Sequence, residues 1–114
     1  MKDACGLFGV FNDTDDTTYN DVVQGMSLLQ HRGQDSCGIS YFKDNELMTH
    51  KYLGTVENNF KSHTKINTTN IIGHVRYCTS GNVADLQQVQ PLTSHNHLGK
   101  YSLAHNGNLH IETE

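Results

Sequence analysis

The sequence predicts an α+β fold, and three segments carry that prediction. Gly6 to Phe11 is a short apolar, glycine-rich run typical of a buried strand. Ile39 to Phe42 and Leu47 to Gly54 are joined by the turn-forming "KDNE", which predicts a β-hairpin. Tyr19 to Gln30 predicts a helix, whose apolar stripe consists of Val22, Val23, Met26 and Leu29.

The other predicted elements are shorter. Thr55 to Phe60 predicts a helix, Ile71 to Tyr77 a strand, and Tyr101 to Gly107 a strand that runs into a turn. Residues 61–70 and 78–92 are polar and irregular. The chain has no internal repeat and no linker-like stretch, so we expect part of one domain, incomplete at its C-terminus, where a further strand is expected to begin.

Composition excludes several classes of partner. The 114 residues carry a formal net charge of -4, which gives no reason to expect nucleic acid or an anionic membrane as a partner. No apolar run could span a bilayer, and the N-terminus lacks the apolar region of a signal peptide. Three widely spaced cysteines do not indicate a disulfide framework. We therefore expect a cytoplasmic protein.

Cys5 directly precedes the first predicted strand and admits several roles. It could be a small core residue, half of a disulfide, a metal ligand or a nucleophile, and its position alone favours the core residue. A nucleophilic thiol needs a base or a lowered pKa. If Met1–Ala4 were removed, the α-amine of Cys5, with an ordinary pKa of about 7.7–8.0, would supply that base.

Two further motifs also admit both a structural and a functional explanation. Arg76 and Arg32 could each bind a carboxylate, although a structural ion pair or an exposed position is favoured by spacing alone. Asn106 and Gly107 form either a tight turn or an oxyanion hole, in which the Asn amide and the Gly N–H donate to one oxygen.

The eight histidines raise the question of a metal site. His95 and His97 form a short HxH pair that could bind metal together with a cysteine. The other histidines are scattered, and no CxxC or HExxH pattern is present, so solvated or hydrogen-bonded histidines are favoured. No metal or other cofactor is expected in this segment.

Four segments together point to one family. The chain contains "CGLFGV", "LLQHRGQDSCGI", "IIGHVRYCTSG" and "LAHNGNL", in that order. They resemble the glutaminase domain of the amidophosphoribosyltransferase family, within the class II, or N-terminal nucleophile, glutamine amidotransferases. The resemblance covers nearly the whole chain from Cys5 onward. It implies an αββα sandwich of two stacked antiparallel sheets and a part in de novo purine synthesis.

The resemblance also implies roles for individual residues. Cys5 would attack the glutamine amide to form a glutamyl thioester, with its own α-amine as base and then acid. Asn106 and Gly107 would form the oxyanion hole. The glutamine-binding region would contain Arg76 on the α-carboxylate, Thr79 in a lid, and Arg32 as a support for that loop and for the nucleophile.

The sequence departs from the family pattern at both ends. Met1–Ala4 precedes the nucleophile and matches a short, removable propeptide, which leaves residues 5–114 as the N-terminal part of the domain. An acidic residue that would bind the glutamine α-amine lies beyond this sequence. So does the phosphoribosyltransferase domain, which is where Mg²⁺ is expected; the full-length family enzyme is expected to be a homo-oligomer. We expect these 114 residues alone to be inactive, and the alternative function is a catalytically inactive binding or structural fragment.

Overall fold

The computed structural model describes residues 4–14, 17–30, 35–60, 66–77 and 86–106. Within them, a four-stranded antiparallel sheet has the order β1-β4-β2-β3. Its strands are β1 (Ala4–Phe11), β2 (Ser36–Lys43), β3 (Glu46–Leu53) and β4 (Asn70–Tyr77). A second, two-stranded antiparallel sheet pairs β5 (Leu92–Asn96) with β6 (Gly99–Leu103). The helices are α1 (Thr18–Leu28) and α2 (Val56–Phe60).

The helix α1 covers one face of the four-stranded sheet, as its apolar stripe predicts. Val22 and Met26 are fully buried, and Val23 and Leu29 pack against the same core. The short helix α2 extends this layer, because the ring of Phe60 packs edge-on against Tyr52 of β3 at 5.1 Å. The Gln30 side chain accepts a 2.6 Å hydrogen bond from the Val56 N–H, which fixes the start of α2 beside the end of α1.

The hairpin between β2 and β3 confirms the turn predicted from "KDNE". Asp44 and Asn45 both have positive φ, at 53° and 65°. A two-residue turn of this kind matches the twist of the strands it joins, and Asp and Asn tolerate it better than most residues. The turn fixes the register in which Lys43 faces Glu46 and Ser36 faces Leu53.

Two predictions about strands need correction. β1 begins at Ala4, so Cys5 lies within the strand rather than before it, because β4 continues far enough to pair with it. β6 spans Gly99–Leu103, so the strand predicted to begin at Tyr101 and run into a turn begins two residues earlier. β5 was not expected, because all five of its residues are exposed and the segment lacks the apolar alternation of a half-buried strand.

The second face of the four-stranded sheet carries the segment from residue 86 to 106. Gly38 of β2 lies directly beneath the Gln90 backbone, and a Cβ at residue 38 would collide with the Gln90 carbonyl oxygen. His74 of β4, which pairs with Gly38, hydrogen-bonds to the His105 carbonyl at 3.1 Å. The layers therefore follow the order helix, sheet, sheet. Four large apolar side chains on this second face remain partly or largely exposed, namely Leu7, Phe11, Phe42 and Leu53.

The close approach at Gly38 makes a testable prediction. We expect Gly38→Ala to lower the free energy of unfolding by about 1–3 kcal/mol, because the added methyl group must displace backbone rather than a flexible side chain. Gly9→Ala is the matched control on the same face, since its Cβ would find its nearest atom at 3.7 Å. Urea unfolding followed by circular dichroism measures both. Equal stability of the two variants would contradict the packing described for Gly38.

Candidate active site

The candidate site is built on the row of residues that crosses the sheet at Cys5. Cys5 faces Arg76 across the β1–β4 pair, and Arg76 faces Ser36 across the β4–β2 pair. Residues that face each other in antiparallel strands project to the same side of the sheet, with Cα atoms about 4.5–5.5 Å apart. Cys5 and Arg76 are each half-buried. The structure therefore places a thiol and a guanidinium side by side on the face opposite the helices.

Ser36 is a polar group in this row that the sequence analysis did not single out. It is fully buried, and its hydroxyl has no hydrogen-bond partner among the described residues. A buried hydroxyl without a partner costs free energy, so this group beside Arg76 could bond to a ligand that Arg76 holds. Its neighbour Asp35 ties the same end of β2 to β4, because the Asp35 N–H donates to the Arg76 carbonyl at 2.8 Å.

Asn106 is held near the same face of the sheet, because the preceding residue, His105, is hydrogen-bonded to it. The His105 carbonyl is bonded to the His74 ring at 3.1 Å, and the His105 N–H donates to the Gln90 side chain at 2.7 Å. His74 lies two residues before Arg76 on the same strand face, which is about 7 Å along the strand. Asn106 itself is exposed, so its amide is accessible from solvent.

His74 has an unusual environment for a histidine, with 1% of its surface exposed. Burial lowers the pKa of His74 below its ordinary value and outweighs the opposing effect of the bond to the His105 carbonyl. The nearby Arg76 charge acts in the same direction as burial. The ring is therefore neutral near pH 7, and its Nε2–H donates to the carbonyl oxygen, which can only accept.

The two cysteines among the described residues lie on opposite faces of the sheet. Cys37 of β2 points into the core beneath the helices and is fully buried. Burial raises the pKa of Cys37 to about 12, although a hydrogen bond with Asn59 acts in the opposite direction. Its burial among apolar side chains makes Cys37 a core residue, and the raised pKa keeps the thiol protonated near neutral pH. The position of Cys5 on the face opposite the helices leaves it as the candidate nucleophile of the two.

Several predicted site residues cannot be placed. Arg32, Thr79 and Gly107 lie outside the described residues, and so does Cys78. Met1–Asp3, the first part of the predicted propeptide, lies outside them as well. The structure brings together Cys5 and Arg76, and it ties the Asn106 segment to the same face.

His95 and His97, considered as metal ligands, are both exposed and lie in β5 and in the turn that follows it. Over the ranges that the structure describes, no group of three or more His, Cys, Asp or Glu side chains could hold a metal ion. No helix in the described part of the chain has the length and apolar character needed to cross a bilayer.

Comparison with known proteins adds an independent line of evidence. A family model described as glutamine amidotransferases class-II matches residues 19–114. The amidophosphoribosyltransferase of Pyrococcus horikoshii is 44% identical over 112 residues, which make up 96% of this chain and 23% of that protein.

Two solved structures share the fold. One is described as the allosteric regulatory enzyme of purine biosynthesis, with a TM-score of 0.68 and 31% identity over 80% of this chain and 19% of that one. The other is glutamine phosphoribosylpyrophosphate amidotransferase from B. subtilis, with a TM-score of 0.65 and 30% identity over 86% of this chain and 21% of that one. The chain thus spans about a fifth to a quarter of the length of the proteins it matches.

The layered sheets, the Cys5–Arg76 row and the matched family model together define a class of protein. The chain belongs to the class II glutamine amidotransferases. Within that class, its similarity is to the glutamine amidotransferase domain of amidophosphoribosyltransferases, enzymes of purine biosynthesis. The family and the two-sheet fold that the four sequence motifs indicate are thereby confirmed.

The different environments of the two thiols predict their reactivity. At pH 8, a thiol with a pKa of about 12 is ionised in about one molecule in ten thousand. We therefore expect iodoacetamide to label Cys5 in the native protein and to leave Cys37 unlabelled until denaturant is added. Peptide mass mapping of a Cys78→Ser variant measures both sites without interference from the third thiol. Labelling of native Cys37 as fast as in the unfolded chain would contradict the burial described here.

Proposed function

We propose that this chain is part of a glutaminase domain that hydrolyses glutamine through a Cys5 thioester and supplies the ammonia for 5-phosphoribosylamine formation in purine synthesis. The observation that carries the proposal is the register of β1 and β4, which sets Cys5 opposite Arg76 on one face of the sheet. A glutamine held by its α-carboxylate on Arg76 would extend its side-chain amide along this face toward a nucleophile. The family match supports glutamine as the substrate.

The proposed reaction has two halves. The Cys5 sulfur attacks the amide carbon of glutamine, its proton passing to the base, and the oxygen of the tetrahedral intermediate is held by Asn106 and Gly107. The carbon–nitrogen bond then breaks and the nitrogen takes up that proton. Ammonia departs, and the glutamyl group remains bound to the Cys5 sulfur as a thioester. Water hydrolyses the thioester to glutamate and restores the thiol, so that one glutamine and one water yield one glutamate and one ammonia.

The proposed base is the α-amine of Cys5 itself, released by removal of Met1–Ala4. An α-amine has an ordinary pKa of about 7.7–8.0, which suits proton transfer near neutral pH. Loss of Ala4 would remove one of the eight residue pairs between β1 and β4, and the pairs from Cys5 to Phe11 would remain. The remaining pairs would hold the new N-terminus in place.

The wider setting is proposed from the relatives. The ammonia would pass to a phosphoribosyltransferase domain, where it would replace pyrophosphate on phosphoribosyl pyrophosphate with Mg²⁺ present. Thr79 would belong to a lid over the glutamine, and Arg32 would support it. We propose a cytoplasmic protein that acts as a homo-oligomer in its full-length form and binds neither nucleic acid nor membrane.

Substitutions at the two paired residues test the proposal. With the protein expressed from its complete gene, we expect Cys5→Ala to abolish glutamate release from glutamine, because no thioester can form. Arg76→Lys is expected to raise KM for glutamine by about tenfold or more, because Lys cannot bind a carboxylate through two parallel bonds. Cys37→Ala is the matched control, a cysteine lost from the opposite face, and should keep the wild-type KM.

These measurements also address the alternative of an inactive fragment. Glutamate release by Cys5→Ala at the wild-type rate would refute the role of the thiol. A wild-type protein that neither releases glutamate nor forms an adduct at Cys5 with a chloroketone analogue of glutamine would leave only the binding or structural fragment. Adduct formation without glutamate release by the protein from the complete gene would support the glutamine site and refute turnover there.

Removal of the propeptide is a separate prediction. N-terminal sequencing and intact mass of the protein isolated from its source are expected to show a chain that begins at Cys5. A variant that retains Met1–Ala4 should lose glutamate release, because an amide nitrogen at Cys5 cannot accept a proton. Full activity in a chain that still begins at Met1 would refute the α-amine as base.

A further inference from the structure

We propose that His74 and Gln90 form a clamp that positions Asn106 for catalysis. The clamp is defined as two hydrogen bonds, one from the His74 ring to the His105 carbonyl and one from the His105 N–H to the Gln90 side chain. The inference rests on the proposed glutaminase function, in which the Asn106 amide donates a hydrogen bond to the oxyanion. Neither His74 nor Gln90 is assigned to the substrate itself; both are positioning residues.

The first bond of the clamp comes from β4 of the four-stranded sheet. His74 belongs to β4, an interior strand of the four-stranded sheet, and 1% of its surface is exposed. Its Nε2 lies 3.1 Å from the His105 carbonyl oxygen. Burial lowers its pKa, so the ring stays neutral and has one N–H to donate, which this carbonyl receives. The donor therefore sits on a rigid element.

The second bond comes from the neighbouring segment. The Gln90 side-chain oxygen accepts the His105 N–H at 2.7 Å, and Gln90 is itself buried. The Gln90 backbone rests on Gly38, the residue that pairs with His74 in the adjacent strand. Both partners of His105 thus lie over the same part of the sheet. The carbonyl of His105 is bonded to β4, and its N–H is bonded to the segment before β5.

This arrangement has a consequence for the next residue. Asn106 directly follows His105 and is exposed. A donor to a developing oxyanion lowers the barrier only if it is already in place when charge forms. The clamp fixes the backbone one residue before that donor. It should therefore affect the rate of the chemical step more than the binding of glutamine.

The decisive variants separate the hydrogen bond from the volume of the ring. We expect His74→Leu to lower kcat by about tenfold to a hundredfold with KM within about twofold of wild type, because the lost support acts on the transition state. His74→Gln should restore most of kcat, since its amide nitrogen can lie close to the position of Nε2. His50→Leu is the matched control, because His50 is bonded to Tyr41 on the helix face.

A second readout does not depend on catalysis. Amide hydrogen exchange at His105, followed by NMR, should be at least about tenfold faster in His74→Leu than in His50→Leu, because the opening of a clamped segment exposes its N–H. If His74→Leu does not fold, Gln90→Ala replaces it and Gln90→Glu, which keeps an acceptor oxygen, replaces His74→Gln. The same two readouts then apply.

The outcomes are distinct. Unchanged exchange at His105 overturns the clamp, and so does a His74→Gln variant whose kcat falls as far as that of His74→Leu. A loss in His74→Leu that appears in KM rather than kcat overturns the positioning role. If wild type hydrolyses no glutamine, the proposed function fails, and faster His105 exchange in His74→Leu would still support the clamp as a structural device.

Discussion

The pairing of β1 with β4 is the interaction on which the rest of the site depends. It joins the first described residues of the chain to an interior strand through eight consecutive residue pairs, from Ala4–Tyr77 to Phe11–Asn70. The ends of chains usually fray unless they are tied into a sheet. This pairing explains how a residue as close to the terminus as Cys5 can hold a fixed position opposite Arg76. The proposed terminal nucleophile would need that rigidity as much as it would need a base.

The two faces of the sheet separate stability from chemistry. Side chains alternate between faces along each strand, so adjacent residues lie in different environments. Cys37 and Val75 lie in the apolar core under α1, whereas Ser36 and Arg76, one residue away on the same strands, face the site. The face opposite the helices can therefore carry a thiol, a guanidinium and a buried imidazole while the helix-covered face supplies most of the hydrophobic stabilisation.

The candidate site draws on parts of the chain that are far apart in sequence. Cys5 comes from β1, Arg76 and His74 from β4, and Asn106 from the segment after β6. The contact at Gly38 brings the last segment onto the sheet, because the missing Cβ lets the Gln90 backbone lie against the strand. The class II glutamine amidotransferase domain thus joins a paired-strand scaffold to a segment that is held over it by a few specific contacts.

The sequence by itself determined the local elements and the family. The stripe of α1, the "KDNE" turn and the apolar runs of β1, β2 and β4 depend on periodicity and turn chemistry, which are properties of neighbouring residues. The tertiary structure decided the register that sets Cys5 opposite Arg76, the exposed β5–β6 hairpin, and the His74–His105–Gln90 contacts. Alternation along "GHVRY" could have placed His74 on the face of Arg76. Its partner could not be found this way, because the bond joins residues 31 positions apart and depends on how the two sheets pack.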